Sequence, residues 1–187
     1  DYGLGNISNV TRAIQHLGYD VILTCDDKDV QKAEAIVLPG VGHFQDAMHS
    51  IEEKSIKDML KNIHDKPVIG ICLGMQLLFQ HSAEGDVSGL ELVPGNIVPI
   101  QSSHPIPHLG WNELKSTHPL LQSDVYFVHS YQAEMSEYVV AYADYGTKIP
   151  GVIQYRNYIG IQFHPEKSGT YGLEILNQAL KGGFIND

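Results

Sequence analysis

Cysteine is nearly absent from this chain: Cys25 and Cys72 are the only two in 187 residues. So thin a supply excludes a disulfide framework and points to a reducing, cytoplasmic setting. Basic residues are also short, with 12 Lys and Arg against 22 Asp and Glu and a net charge of −10. Nucleic acids and anionic membranes are bound through clustered Lys and Arg, so neither is expected as a partner. No run approaches the ~18 consecutive apolar residues of a membrane span, and no secretory apolar segment is read at the start. The ten histidines are scattered without ligand spacing, so no metal is expected, and no motif asks for a cofactor. Gly3-Leu4-Gly5-Asn6 begins like a dinucleotide loop. It lacks the third glycine and the preceding strand, and no Walker-type lysine motif follows.

What is present is globular in character, 43% hydrophobic and 18% charged, and long enough for one core. With no linker, repeat or low-complexity tract, residues 1–187 read as a single domain. Asp1-Tyr2-Gly3 reads as the tail of a strand with residues before it. Ile7, Val10, Ile14 and Leu17 recur at helical spacing, and Gly18 stands where a C-terminal cap belongs. Tyr19–Thr24, Ala35–Leu38 and Val68–Ile71 read as short buried strands alternating with helices, the pattern of a parallel sheet covered on both faces. Beyond residue 85 the texture turns β-rich, with Ile97–Ile100, Val125–Tyr131, Val139–Tyr142, Val152–Tyr155 and Tyr158–Phe163 expected as antiparallel strands extending the sheet. Tyr171–Leu180 closes the chain as a helix. The class expected is α/β, flavodoxin-like, with a mostly parallel central sheet flanked by helices and an antiparallel extension in the second half.

The sharpest signal is PVIGICLGMQLLF, Pro67–Phe79. A buried strand runs into a helix through Gly70-Ile71-Cys72-Leu73-Gly74, a nucleophile elbow with cysteine in the serine position. Glycines flank the nucleophile because a tight strand-to-helix turn leaves no room for side chains. The Cys72 sulfur is set at a helix start, where thiolate is favoured, and the Leu73 N–H can donate to a developing oxyanion. A lone cysteine is more often a small buried hydrophobe; that reading holds for Cys25, and the elbow reverses it for Cys72. A thiolate nucleophile needs an oriented base. His164-Pro165-Glu166 follows a β-rich run, and Pro165 keeps His164 extended. Residues i and i+2 then share a side, so Glu166 can bond one imidazole nitrogen while the other faces Cys72. Alone, the tripeptide reads as a solvated strand end; with the elbow it reads as a triad. Pro39-Gly40-Val41-Gly42 follows an early strand, and its glycines free backbone N–H groups to approach a ligand.

Together these features resemble the class I glutamine amidotransferases, and more narrowly the glutaminase subunits of imidazole glycerol phosphate synthase. The blocks that carry the resemblance run nearly end to end: DYGLGNISN (Asp1–Asn9), PGVGHF (Pro39–Phe44), GICLGMQLLF (Gly70–Phe79), PHLGWN (Pro107–Asn112), YFVHSY (Tyr126–Tyr131) and QFHPEKS (Gln162–Ser168). Leu109 stands at the variable position of the family's PHxGWN block, and the opening strand of the family is absent.

The resemblance implies that Cys72 is the nucleophile, His164 the base and acid, and Glu166 the orienting carboxylate. It implies that Gln76, His129, Ser130 and Tyr131 hold the α-amino and α-carboxylate groups of glutamine, with Gly40, Val41, Gly42 and Leu73 beside the acyl group. It also implies a partner, a (β/α)8-barrel cyclase forming a heterodimer, with Asn6, Asn9, Tyr126 and Lys167 near the interface. Read by residue type alone, those four are solvated polar residues. Two other readings stay open: the glutaminase of another synthase, such as the pyridoxal-phosphate type, and a non-catalytic interaction domain of the same fold.

Overall fold

The computed structural model describes residues 7–185. The strand tail expected at Asp1-Tyr2-Gly3 and the partner candidate Asn6 lie outside the described residues. The elements are, in order, α1 (Ile7–His16), α2 (Asp27–Lys32), β1 (Ile36–Gly40), α3 (Phe44–Glu53), α4 (Ile56–Lys61), β2 (Val68–Cys72), α5 (Leu73–Leu77), β3 (His81–Ser82) and β4 (Val87–Ser88). They continue as β5 (Asn96–Pro99), β6 (His108–Lys115), β7 (Asp124–His129), β8 (Tyr131–Ala133), β9 (Val139–Asp144), β10 (Lys148–Tyr155), β11 (Tyr158–Ile161) and α6 (Gly169–Leu180). Single 3-10 turns lie at Pro119–Leu121 and Pro165–Lys167.

Seven strands form one mixed sheet in the order β1-β2-β11-β10-β9-β6-β7. β1, β2 and β11 are parallel, and the pairs from β11 outward are antiparallel. Every residue of β2 is buried, as a strand covered on both faces must be. Val68 packs with Phe44, Met48, Ile51 and Leu60 from α3 and α4. Ile69 and Ile71 face the other way, into Ile14 of α1 and Ile175 and Leu176 of α6. α1 buries Val10, Ala13 and Ile14, the spacing legible in the sequence, and Gly18 at φ +90° closes it.

Four strand expectations are revised. Val125–Tyr131 is not one strand: β7 ends at His129, and Tyr131 begins β8 in another sheet. Tyr19–Thr24 is not a strand: Ile22 and Leu23 are 70% and 57% exposed, and no strand among the described residues pairs with it, so its apolar run has no ladder to join. Ile97–Ile100 forms β5, but in a separate sheet of order β4-β3-β5-β8, where β5 pairs antiparallel with β8 and parallel with β3. Tyr158–Phe163 yields β11, which lies parallel to the elbow strand β2. Residue patterning marks a buried strand without fixing its neighbour or direction.

Candidate active site

The parallel strands β1 and β2 end side by side, with Gly40 opposite Cys72. Cys72 is the last residue of β2 and sits at φ 54°, ψ −114°. A non-glycine residue in so sparsely populated a region costs on the order of 1–3 kcal/mol and persists only where the surroundings enforce it. Here they do. A Cβ added at Gly70 would strike the Gly74 carbonyl, and one added at Gly74 would strike the Leu38 carbonyl of β1. The turn can close only with glycine on both sides. Cys72 is 7% exposed, and its thiol points to the Val128 carbonyl at 3.9 Å. α5, which follows, has only five residues.

His164 lies three positions beyond β11 and is gripped through its backbone. Its N–H donates to the Tyr126 carbonyl at 2.9 Å, and its carbonyl accepts from Ser168 Oγ at 2.6 Å. Ser168 Oγ in turn accepts the Tyr126 N–H at 2.9 Å, so the His164 segment is tied to β7 from both sides. The ring Nδ1 lies 2.8 Å from Glu166 Oε1. An extended segment was expected to produce this pairing; instead Glu166 reaches His164 through the 3-10 turn at Pro165–Lys167. Both side chains are buried, at 4% and 1% exposure. His164 Nε2 has no partner with hydrogen-bond geometry, but Cys72 is close enough to act on its charge. Burial alone pulls the His164 pKa down; Cys72 and Glu166 outweigh it and raise the value to about 9.

Cys72 and His164 open onto one cavity of about 390 Å³. Val41, Gly42, Leu73, Gln76, His129, Ser130 and Tyr131 line it as well, so the predicted substrate-contacting residues converge, with Gly40 in the sheet behind them. Glu84, Pro107 and Val128 also line the cavity and were not singled out by sequence. Glu84 accepts the Phe44 N–H at 3.1 Å and lies 3.5 Å from His43 Nδ1, and no motif surrounds it. Gln76 Nε2 donates to the Tyr131 carbonyl at 3.0 Å and to Gln162 Oε1 at 3.1 Å. Both ring nitrogens of His129 are engaged within the protein, and burial drives its pKa down to about 3. No Lys or Arg lines the cavity among the described residues.

Of the partner candidates, Asn9 is exposed on α1, and Lys167 Nζ sits 6.0 Å from the centroid of the half-buried Tyr126 ring. Trp111, 59% exposed, meets the same ring edge-on at 6.0 Å. Among the described residues no cluster of His, Cys, Asp or Glu is placed to hold a metal ion, and no helix is long and apolar enough to cross a membrane.

The family model for class I glutamine amidotransferases matches residues 1–181. The chain belongs to that family. It is 66% identical over all 187 residues to the imidazole glycerol phosphate synthase subunit HisH of Staphylococcus saprophyticus, covering 94% of that protein. It is 64% identical to the HisH of Staphylococcus aureus, covering 97% of it. Within the family the chain is therefore a HisH-type glutaminase subunit. Solved structures share the fold at low identity. One glutamine amidotransferase superposes with a TM-score of 0.78 at 17% identity, over 96% of this chain and 95% of that one. Another, from Thermotoga maritima, gives 0.55 at 15% identity, over 87% and 70%.

Proposed function

We propose that the chain hydrolyses glutamine to glutamate and ammonia through Cys72, His164 and Glu166, and delivers the ammonia to a (β/α)8-barrel cyclase bound as a heterodimer. That cyclase makes imidazole glycerol phosphate and aminoimidazole carboxamide ribotide, in histidine biosynthesis. The carrying observation is one cavity that holds a strained elbow cysteine beside a buried His–Glu pair. Support for the pathway comes from the HisH relatives, which are synthase subunits.

In the reaction, Cys72 Sγ attacks the carbon of the glutamine side-chain amide. The Leu73 N–H and the loop at Gly40, Val41 and Gly42 take the developing oxyanion, and each such donor contributes about 3 kcal/mol. His164, held protonated by Glu166, gives its proton to the leaving nitrogen, and ammonia departs. Neutral His164 then draws a proton from water, which attacks the thioester and releases glutamate. The α-ammonium of glutamine meets acceptors, Gln76 Oε1 and the Glu84 carboxylate. With no Lys or Arg lining the cavity among the described residues, its α-carboxylate relies on backbone N–H groups near Ser130 and Tyr131. Val41, 39% exposed between Gly40 and Gly42, shifts on partner binding and completes the oxyanion hole, which keeps the free subunit from wasting glutamine. Full turnover by the isolated chain would overturn that last step.

The test is glutamate release from glutamine, with and without the cyclase and its ribonucleotide ligand, for wild type and Cys72→Ala. Cys72-dependent release that rises strongly with the cyclase is expected, with synthesis from added ammonium preserved in the Cys72→Ala complex. Cys72-dependent release that ignores the cyclase would keep the glutaminase and assign it to another synthase.

A further inference from the structure

His108, the first residue of β6, takes no part in the chemistry above. It is nevertheless only 2% exposed and stands directly opposite His129 in the β6–β7 ladder. Its ring is stacked between Phe127, at 4.4 Å between centroids, and Tyr145, at 4.1 Å. The hydrogens of this histidine pair follow from the fixed ends of the bond chain that contains it. At one end, His129 Nδ1 lies 2.8 Å from the Tyr131 carbonyl. A carbonyl only accepts, so Nδ1 carries the hydrogen. Burial keeps His129 neutral, which makes Nε2 an acceptor, and it receives His108 Nδ1–H at 3.0 Å. His108 is held neutral by burial as well. Its own Nε2 therefore accepts from Asn112 Nδ2 at 3.2 Å. The second hydrogen of that amide goes to the Asp144 carbonyl at 2.8 Å. A carbonyl terminates the chain at each end, and every hydrogen between them has one place to go.

The Tyr131 carbonyl at the inner end is shared with Gln76 Nε2. The other hydrogen of the Gln76 amide is spent on Gln162 Oε1, in a side chain that is fully buried. Oε1 is then the atom of Gln76 left for a ligand, and Gln76 lines the cavity.

We infer that His108 is a positioning residue for glutamine: by donating to His129 Nε2 it holds that ring in place and, through the shared Tyr131 carbonyl, the orientation of the Gln76 amide that receives the substrate ammonium. This deepens the glutaminase reading and rests on it.

Nitrogen-15 NMR of the wild-type chain at neutral pH tests the assignment without any substitution. Both His108 and His129 are expected with hydrogen on Nδ1 and a bare Nε2. A hydrogen on Nε2 of either ring, or a charged ring, overturns the inference. His108→Phe preserves the stacking and removes both hydrogen bonds. Assayed with the cyclase, it is expected to raise KM for glutamine about tenfold, the loss of roughly one neutral hydrogen bond, with kcat within about threefold. An unchanged KM, or a loss confined to kcat, overturns it. Absence of glutamate release by the wild-type complex would instead remove the glutaminase reading, and the tautomers would still be readable.

Discussion

Cys72 holds a backbone conformation that its own side chain disfavours, and the cost is borne by the contacts of Gly70 and Gly74. Gly74→Ala is therefore expected to destabilise the fold by about 3 kcal/mol or more, because the added methyl meets the Leu38 carbonyl rather than a side chain able to move. Denaturant unfolding checks it. His164 gives a second prediction at this scale. Its folded pKa, about 9, stands above the ordinary ~6.5 of an unfolded histidine. Its contribution to stability is thus complete below pH ~6.5 and is lost as pH rises through about 9. Glu166→Gln removes one cause of the elevation. The His164 imidazole titration followed by NMR is expected to move to lower pH, the alkaline loss of stability to shrink, and glutamine turnover to fall about a hundredfold or more. The elbow cysteine and the His-Pro-Glu tripeptide were legible in the sequence because their chemistry is packed into a few neighbouring residues. Glu84 and His108 were not. Glu84 reaches the site from a turn with no motif, and the role of His108 depends on His129, 21 residues away on another strand.

At the scale of elements, the site is assembled from strand ends and their tethers. Ser168 is the clearest tether, since one hydroxyl bonds both the His164 carbonyl and the Tyr126 N–H. Ser168→Ala leaves the Tyr126 N–H unsatisfied, at about 1–3 kcal/mol, and leaves the His164 carbonyl with only the Lys167 N–H at 3.0 Å. The expected result is a turnover loss of about tenfold or more that exceeds what the fall in thermal midpoint explains; a turnover equal to wild type would make Ser168 a passive cap. Patterning located β7 and the helices α1 and α6, which bury one face, and continuous or short apolar runs located β2, β9 and β10, of which β2 is buried throughout. Neither could place β5 in the second sheet or β11 parallel to β2, because hydrogen-bond partners lie far off in the chain. Tyr19–Thr24 carries the same apolar run as a strand, yet side chains rather than a ladder hold it: the Tyr19 phenol donates to Asn177 on α6 at 2.8 Å and the Thr24 hydroxyl to Asp29 at 2.9 Å.

Over the whole molecule, the buried neutral histidines set the acid limit. His108 and His129 have folded pKa values of about 4 and about 3, below the ordinary ~6.5. Stability is expected to be full above pH ~6.5 and to fall as pH drops through about 4 and then about 3, since the unfolded chain takes up protons that the folded one refuses. His108→Phe flattens that decline, measurable as chemical unfolding between pH 4 and 7.

The parallel pairing of β1, β2 and β11 sets three segments of the candidate site at one level. Gly40 stands beside Cys72, Ile161 beside Ile71, and the His164 turn begins just past that point. Neighbouring strands are about 4.8 Å apart by backbone pairing alone. The spacing between Gly40, Cys72 and the start of the His164 turn is thus inherited from peptide geometry, and no side chain has to measure it. One residue inserted within any of the three strands would move a reactive group by a full strand step, about 3.3 Å, and turn it to the other face of the sheet. Substitutions along the same strands leave that ruler untouched, so the site can keep its dimensions while much of the surrounding sequence changes.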